Sequence, residues 1–166
     1  MATAPEHFSA LPAVMIRPMA EADVSAVVVI EQASYRFPWS EGIFRDCLKV
    51  GYVCRAVEQF DTVAAYGIVS TGAGEAHILN LCVREDLRCR GIGARLLDDL
   101  LECAAAVAVD LAYLEVRPSN AAAIRLYQAF EFEQIGVRRG YYQAPGGRED
   151  AAVFKLALRD RRARSG

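Results

Sequence analysis

The segment from Ala76 to Val116 constrains the fold more than any other part of this chain, because its hydrophobic period changes twice within a short span. Ala76 to Val83 has the apolar character of a strand. Gly91 to Val109 places Leu96, Leu97, Leu100, Leu101, Ala104 and Val107 on one stripe, with Asp98, Asp99 and Glu102 largely opposite. That stripe predicts an amphipathic helix. Leu111 to Val116 then reads as a buried strand. Strand, helix and strand in this order suggest a parallel crossover.

The flanking segments add helices before this unit and strands on both sides of it. Ala13 to Arg17 reads as a first strand. Val24, Val27, Val28 and Ile30 recur at helical spacing between Ala20 and Tyr35, with acidic residues at 21 and 23 suited to the positive end of a helix dipole. Phe37-Pro38-Trp39 breaks that pattern. Ser40 can cap a second helix from Glu41 to Lys49, with Ile43, Phe44, Cys47 and Leu48 inward. Tyr52 to Val57, Thr62 to Ser70 and Ala76 to Val83, separated by short polar or Gly-containing turns, predict an antiparallel meander. Ser119-Asn120 caps a further helix to Phe130, and Phe132 to Tyr142 and Ala151 to Leu158 read as the last two strands.

A length of 166 residues suits one domain, and 54% apolar with 24% charged residues is the balance of a globular protein. Residues 1–13 form an Ala- and Pro-rich lead-in, 14–158 the folded domain, and 159–166 a basic, solvated tail. The net charge of -2 supplies no global positive field, so general nucleic-acid binding is not indicated. Cys47, Cys54, Cys82, Cys89 and Cys103 form no CxxC pair or zinc-finger spacing, which fits free thiols in a reducing cytosol and no metal. No secretion signal and no membrane span is expected. His7 and His77 stand apart from other ligand types and carry no assigned role.

Arg88-Cys89-Arg90-Gly91-Ile92-Gly93 joins a predicted strand to a helix. The first amides of a helix have no intrahelical partner, and with the helix dipole and nearby arginines they make an anion site. A diphosphate fits such a place. The same glycines equally read as a plain turn into a helix. A Walker loop needs Gly-Lys-Ser/Thr and a dinucleotide fingerprint needs a third small residue after Gly93, whereas this chain has Ala94-Arg95-Leu96, so both fail.

The hexapeptide does resemble the R/Q-x-x-G-x-G/A signature of the GNAT superfamily of acyl-CoA N-acyltransferases. The resemblance runs from Val14 to Leu158 and is closest to the RimI type, bacterial enzymes that acetylate a ribosomal protein N-terminus. Phe37-Pro38-Trp39-Ser40-Glu41 looks like the family's loop between its first helices. Leu114 to Ile124 looks like its strand and capped helix, and Gly147 to Ala151 its last turn. The resemblance implies an α+β fold, with a mixed, mostly antiparallel central sheet flanked by helices on both faces. It implies acetyl-CoA as cosubstrate, cradled at its pyrophosphate by Arg88, Cys89, Arg90, Gly91, Ile92, Gly93 and Ala94. Leu81, Cys82 and Val83 would lie at a strand bulge whose backbone pairs with the pantetheine arm, and Asn120 would hold the cofactor.

The resemblance further implies Glu115 as general base, acting through water, and Tyr127 as general acid for the CoA sulfur. Taken singly, Glu115 reads as a surface carboxylate and Tyr127 as core packing. Arg138, Arg139, Tyr141 and Tyr142 match the family's Arg-Arg-x-Tyr-Tyr strand; Arg138, Tyr141 and Tyr142, with Phe37 and Trp39, would wall a groove for the acceptor. An α-amine has a reference pKa of about 7.7–8.0 and a lysine about 10.4, so deprotonation at neutral pH costs about 1 against about 4.6 kcal/mol. A single carboxylate base therefore suits an α-amine, and the implied substrate is the N-terminal alanine of small-subunit ribosomal protein eighteen, in the cytoplasm. Other protein N-termini, lysines or small amines remain open, as does a noncatalytic acyl-CoA-binding module. One departure is Glu131, where relatives carry Gly; a left-handed backbone there would cost on the order of 1 kcal/mol.

Overall fold

The computed structural model describes residues 13–159 and 161. Of the lead-in, residues 1–12, with His7, lie outside the described residues, as do 160 and 162–166 of the tail. Seven strands form one sheet: β1 (Met15–Pro18), β2 (Val53–Gln59), β3 (Thr62–Gly72), β4 (Glu75–Val83), β5 (Leu111–Val116), β6 (Glu133–Ala144) and β7 (Gly147–Ala157), in spatial order β1-β2-β3-β4-β5-β7-β6. Only β4 and β5 run parallel; the other neighbours are antiparallel. The parallel pair is the one joined by the amphipathic helix α3 (Ile92–Ala106).

The remaining helices are α1 (Val24–Ser34), entered by a 3-10 turn at Glu21–Asp23, α2 (Glu41–Lys49) and α4 (Ala121–Ala129). Ser40 Oγ accepts from the Ile43 amide at 3.3 Å and Asn120 Oδ1 from the Ala123 amide at 3.2 Å, so both expected caps form. Tight hairpins turn at Phe60-Asp61 and Ala73-Gly74, each with both central residues at positive φ, the backbone twist that two-residue hairpins favour.

The sheet separates two cores. On one side Val24, Val27 and Ile30 of α1 and Phe44 and Cys47 of α2 pack on Cys54, Ala56, Tyr66, Ile68 and Cys82. On the other, Ile92, Leu96, Leu97, Leu100, Leu101 and Ala104 of α3 meet Ala65, Val69, Ala76, Ile78, Ala112 and Leu114, with Tyr127 of α4. A fully buried leucine contributes roughly 1.5–3 kcal/mol, so the α3 stripe is a main anchor. It sits close to the sheet: a Cβ at Gly67 would stand 2.5 Å from Leu100 Cδ1.

Several expectations need correction. Val107 lies beyond the end of α3 and is exposed, because the helix stops at Ala106; Ile43 is exposed as well. β7 starts at Gly147, so Gly147 to Asp150 is strand, and the turn falls at Pro145-Gly146. The expected tail begins docked: Arg159 pairs with Asp110 at 2.9 and 3.0 Å, and Arg161 with Asp98.

Candidate active site

Pairing between β4 and β5 ends at Ile78 and Leu114. Beyond that point β4 stays bonded to β3, and β5 to β7, and the two strands part. Glu115 is the first β5 residue past the paired segment. Ala112, Leu114 and Val116 enter the α3 core, so alternation turns Tyr113 and Glu115 to the opposite face, on the part of the sheet that α1 and α2 leave uncovered. A groove of about 600 Å³ forms there, lined among others by His77, Tyr113, Glu115 and Arg138.

Glu115 is only 7% exposed at its side chain. His77 Nε2 bonds its Oε2, and Arg138 Nε stands 3.6 Å from its Oε1. Burial pushes this carboxyl up, but the His77 hydrogen bond and the charges of His77 and Arg138 outweigh it, leaving the group below the usual carboxylate range. It is ionised at neutral pH. The buried ring of Tyr127 packs edge-on against Phe132, with centroids 5.8 Å apart. Burial pushes its hydroxyl up to about 12, so it stays protonated.

The bulge expected at Leu81 to Val83 sits two residues earlier. Register jumps from Ile68↔Asn80 to Val69↔Ile78, making Leu79 the extra residue. Leu81, Cys82 and Val83 are regularly paired with Gly67, Tyr66 and Ala65, and their other edge faces the gap. Leu81 O accepts from Tyr35 Oη at 3.3 Å.

At the head of α3, Gly91 is the N-cap at φ 81° with no side-chain cap, so the amides of the first turn have no side chain closing them. Arg88 is partly committed to the protein, donating Nε to Val83 O at 3.0 Å and Nη2 to Ser34 Oγ at 3.1 Å. Arg90 is exposed near Asp86. Cys89 takes φ 60° and is exposed; Ile92 is buried, and Gly93 and Ala94 are half-buried. Asn120 uses Oδ1 as the α4 cap. An uncapped helix head beside a parted strand pair fits an elongated molecule with a diphosphate, as acetyl-CoA is.

The acceptor-side residues divide. Arg138 reaches Glu115, and its guanidinium lies 5.4 Å from the Tyr141 ring centroid. Tyr141 meets Tyr142 edge-on at 4.8 Å. Between Arg138↔Ala151 and Tyr142↔Glu149 three β6 residues oppose Asp150 alone, a bulge with Gly140 at φ 58° and its amide on Asp150 Oδ1 at 2.8 Å. Glu149 accepts from Ser119 Oγ at 2.7 Å and Arg117 at 3.1 Å, and Arg117 covers the Tyr142 ring at 4.4 Å. Of the five residues expected to wall it, only Arg138 lines the Glu115 groove; Phe37, Trp39, Tyr141 and Tyr142 do not. Trp39 packs on Phe44 at 5.4 Å and is half core, whereas Phe37 is exposed.

Two residues escaped the sequence reading. Glu31 is 2% exposed, accepting from Tyr66 Oη, from Asn80 Nδ2 at 3.1 Å and from the Trp39 amide at 3.0 Å, which ties the Phe37-Pro38-Trp39 loop to β3 and β4. His77 joins Glu115 across β4 and β5. Strand register brings His77 to Glu115, and the packing of α1 on the sheet brings Glu31 to its partners.

The sequence model described as the Acetyltransferase (GNAT) family matches residues 22–132, well over half of the chain. The chain belongs to the GNAT family. Among its relatives, the ribosomal protein bS18-alanine N-acetyltransferase of Escherichia coli (strain K12) is 37% identical over 136 residues, covering 82% of this chain and 92% of that protein. The enzyme of the same name from Haemophilus ducreyi is 34% identical over 145 residues, covering 87% and 100%. The crystal structure of the ribosomal-protein-S18-alanine N-acetyltransferase from Escherichia coli superposes with a TM-score of 0.82 at 35% identity, covering 88% of this chain and 94% of that one. Ard1 from Thermoplasma volcanium, 24% identical with a TM-score of 0.80 over 87% and 97%, shares the GNAT fold. Among the described residues no group of His, Cys, Asp and Glu could hold a metal, and no helix is long and apolar enough to cross a membrane.

Proposed function

We propose that this chain transfers an acetyl group from acetyl-CoA to the α-amine of a protein N-terminus, in the cytoplasm, and that its acceptor is the N-terminal alanine of ribosomal protein bS18. The observation that carries the chemistry is Glu115, a nearly buried, ionised carboxylate at the point where β4 and β5 part. The acceptor follows from the relatives of that name, at 34–37% identity over most of the chain.

Acetyl-CoA supplies an activated acyl thioester. The helix head at Gly91 to Ala94, with Arg90 and the free part of Arg88, binds the pyrophosphate, and the β4 edge at Leu81 to Val83 holds the pantetheine arm beside Asn120. Glu115 takes a proton from the acceptor ammonium through water. Its depressed pKa makes it a modest base, adequate for an α-amine near 7.7–8.0 and poorly matched to lysine near 10.4. Tyr127, protonated at neutral pH, donates to the departing sulfur. Arg138 lines the groove on the acceptor side, Tyr141 and Tyr142 follow it on β6, and Phe37 and Trp39 sit on the loop that Glu31 holds.

The test offers acetyl-CoA with a peptide of the bS18 N-terminus, a peptide with a blocked N-terminus and internal lysine, and a free amine. One acetyl unit of added mass on the first alone is expected; no acetylation of that peptide overturns the reading. Glu115→Gln is expected to lower kcat by about 10²–10⁴, the usual contribution of a general base, with Tyr127→Phe toward the lower end.

A further inference from the structure

We propose that His77 is a positioning residue for Glu115, and that the charge of its imidazole sets how readily Glu115 takes a proton. This rests on the reading of Glu115 as the base. Three observations carry it. His77 pairs in register with Tyr113 of β5, and its alternating neighbours Ala76 and Ile78 enter the opposite core, so its ring stands on the Glu115 face. Its Nε2 meets Glu115 Oε2, while Oε1 faces Arg138 at 3.6 Å. Finally, His77 is 35% exposed at its side chain against 7% for Glu115, so the imidazole exchanges protons with solvent more freely than the carboxylate does.

In its neutral form with Nε2 protonated, His77 donates one hydrogen bond. This fixes the carboxylate and fills Oε2, leaving Oε1 to receive the acceptor's proton through water. When Nδ1 takes a proton from solvent, the ring becomes an imidazolium beside the same carboxylate. The positive charge stabilises the ionised form of Glu115 and makes it a weaker base. A charged imidazole therefore slows transfer relative to a neutral one while Glu115 stays ionised.

The other groups around the ring are Glu75 on β4, Tyr113 on β5, Arg138 on β6 and Tyr52 ahead of β2, all lining the groove. Ser70 stands opposite His77 on β3, and Lys155 opposite Tyr113 on β7. Glu75 brings a negative charge to this face of the sheet, and Arg138 and Lys155 positive ones.

The experiment compares the wild type with His77→Gln, which keeps an N–H donor but does not titrate, and with His77→Ala, which has neither property. Acetylation of the bS18 N-terminal peptide is followed from pH 6 to pH 9, with Glu115→Gln in parallel. Taking the ratio of His77→Gln to wild-type rates cancels the acceptor amine's own titration. That ratio is expected to rise about three- to tenfold from pH 8 to pH 6, as expected if rate follows base strength. His77→Ala is expected to lose about tenfold in kcat across the range, a fraction of a general base's contribution, with KM for acetyl-CoA unchanged. A flat ratio, or a His77→Ala enzyme with wild-type kcat and pH profile, overturns the inference. If Glu115→Gln keeps full activity, the base reading itself falls; if Glu115→Gln is inactive while both His77 variants match the wild type, only the inference about His77 falls.

Discussion

At Glu131 the backbone takes φ 68°, a left-handed position normally given to glycine. The Glu131 amide bonds Gln128 O at 2.9 Å and the Phe132 amide bonds Tyr127 O at 3.1 Å, the two bonds of a Schellman motif. Phe132 then packs on the Tyr127 ring, so this turn also seats the proposed general acid. Glu131→Gly should remove about 1 kcal/mol of backbone cost and raise Tm by about 2–4 °C; Glu131→Ala, which keeps the Cβ, should give no comparable gain. Thermal melts of the three proteins check this. Asp23 offers a second case. Its carboxylate accepts from Arg17 Nη1 and Nη2 at 2.7 and 2.9 Å and from the Ala20 amide at 2.7 Å, and the Arg17 hydrogen bonds hold its pKa down despite burial. A depressed carboxylate contributes stability above its unfolded pKa, about 3.9, and loses it as pH falls through the folded value. Asp23→Asn should therefore cost about 1.5–3 kcal/mol at pH 7 and reduce the acid-dependent part of the unfolding curve, read from urea midpoints between pH 7 and pH 3.

Among the elements, the head of α3 separates two glycines that look alike in the sequence. Gly91 has φ 81°, whereas a methyl at Gly93 would meet Leu126 and Val83 at an ordinary 3.6 Å. Gly91→Ala is expected to cost about 1 kcal/mol and to weaken acetyl-CoA binding, and Gly93→Ala to change stability little; calorimetric titration with melting curves distinguishes them. Replacing both Arg88 and Arg90 by Ala should also weaken binding, with Arg88 contributing partly through Val83 and Ser34, which it already holds. Helices were legible because their periodicity and caps are local: α2 runs from Glu41 to Lys49 as its Ser40 cap and apolar spacing predict, and β5 from Leu111 to Val116. The bulge at Leu79 and the early start of β7 were not. Both depend on which residue of a neighbouring strand stands opposite, and no local pattern records that.

Across the molecule, the gap between β4 and β5 leaves strand edges that acetyl-CoA would bridge. A ligand bound only by the folded state at 100 times its Kd adds about 2.7 kcal/mol, so saturation should raise Tm by roughly 5–10 °C. Hydrogen exchange should slow at Leu81 to Val83 and at the start of α3. The amino-acid sequence alone was enough for the strand–helix–strand unit and the Gly91 helix head, and family resemblance singled out Glu115 and Tyr127 as the candidates proposed for the chemistry, because these are written in neighbouring residues and fixed spacings. Folding in three dimensions settled the partners: His77 and Arg138 on Glu115, Glu31 beneath the Trp39 loop, Arg88 turned toward Val83 and Ser34. His77 and Arg138 on Glu115, and Arg88 on Ser34, join residues far apart in the chain, while Glu31 with Trp39 and Arg88 with Val83 are nearer pairs whose meeting still depends on how the helix and loop pack. Which pairs meet depends on sheet order, bulges and the packing of two separate cores, and those follow from the free energy of the whole fold and not from any one segment.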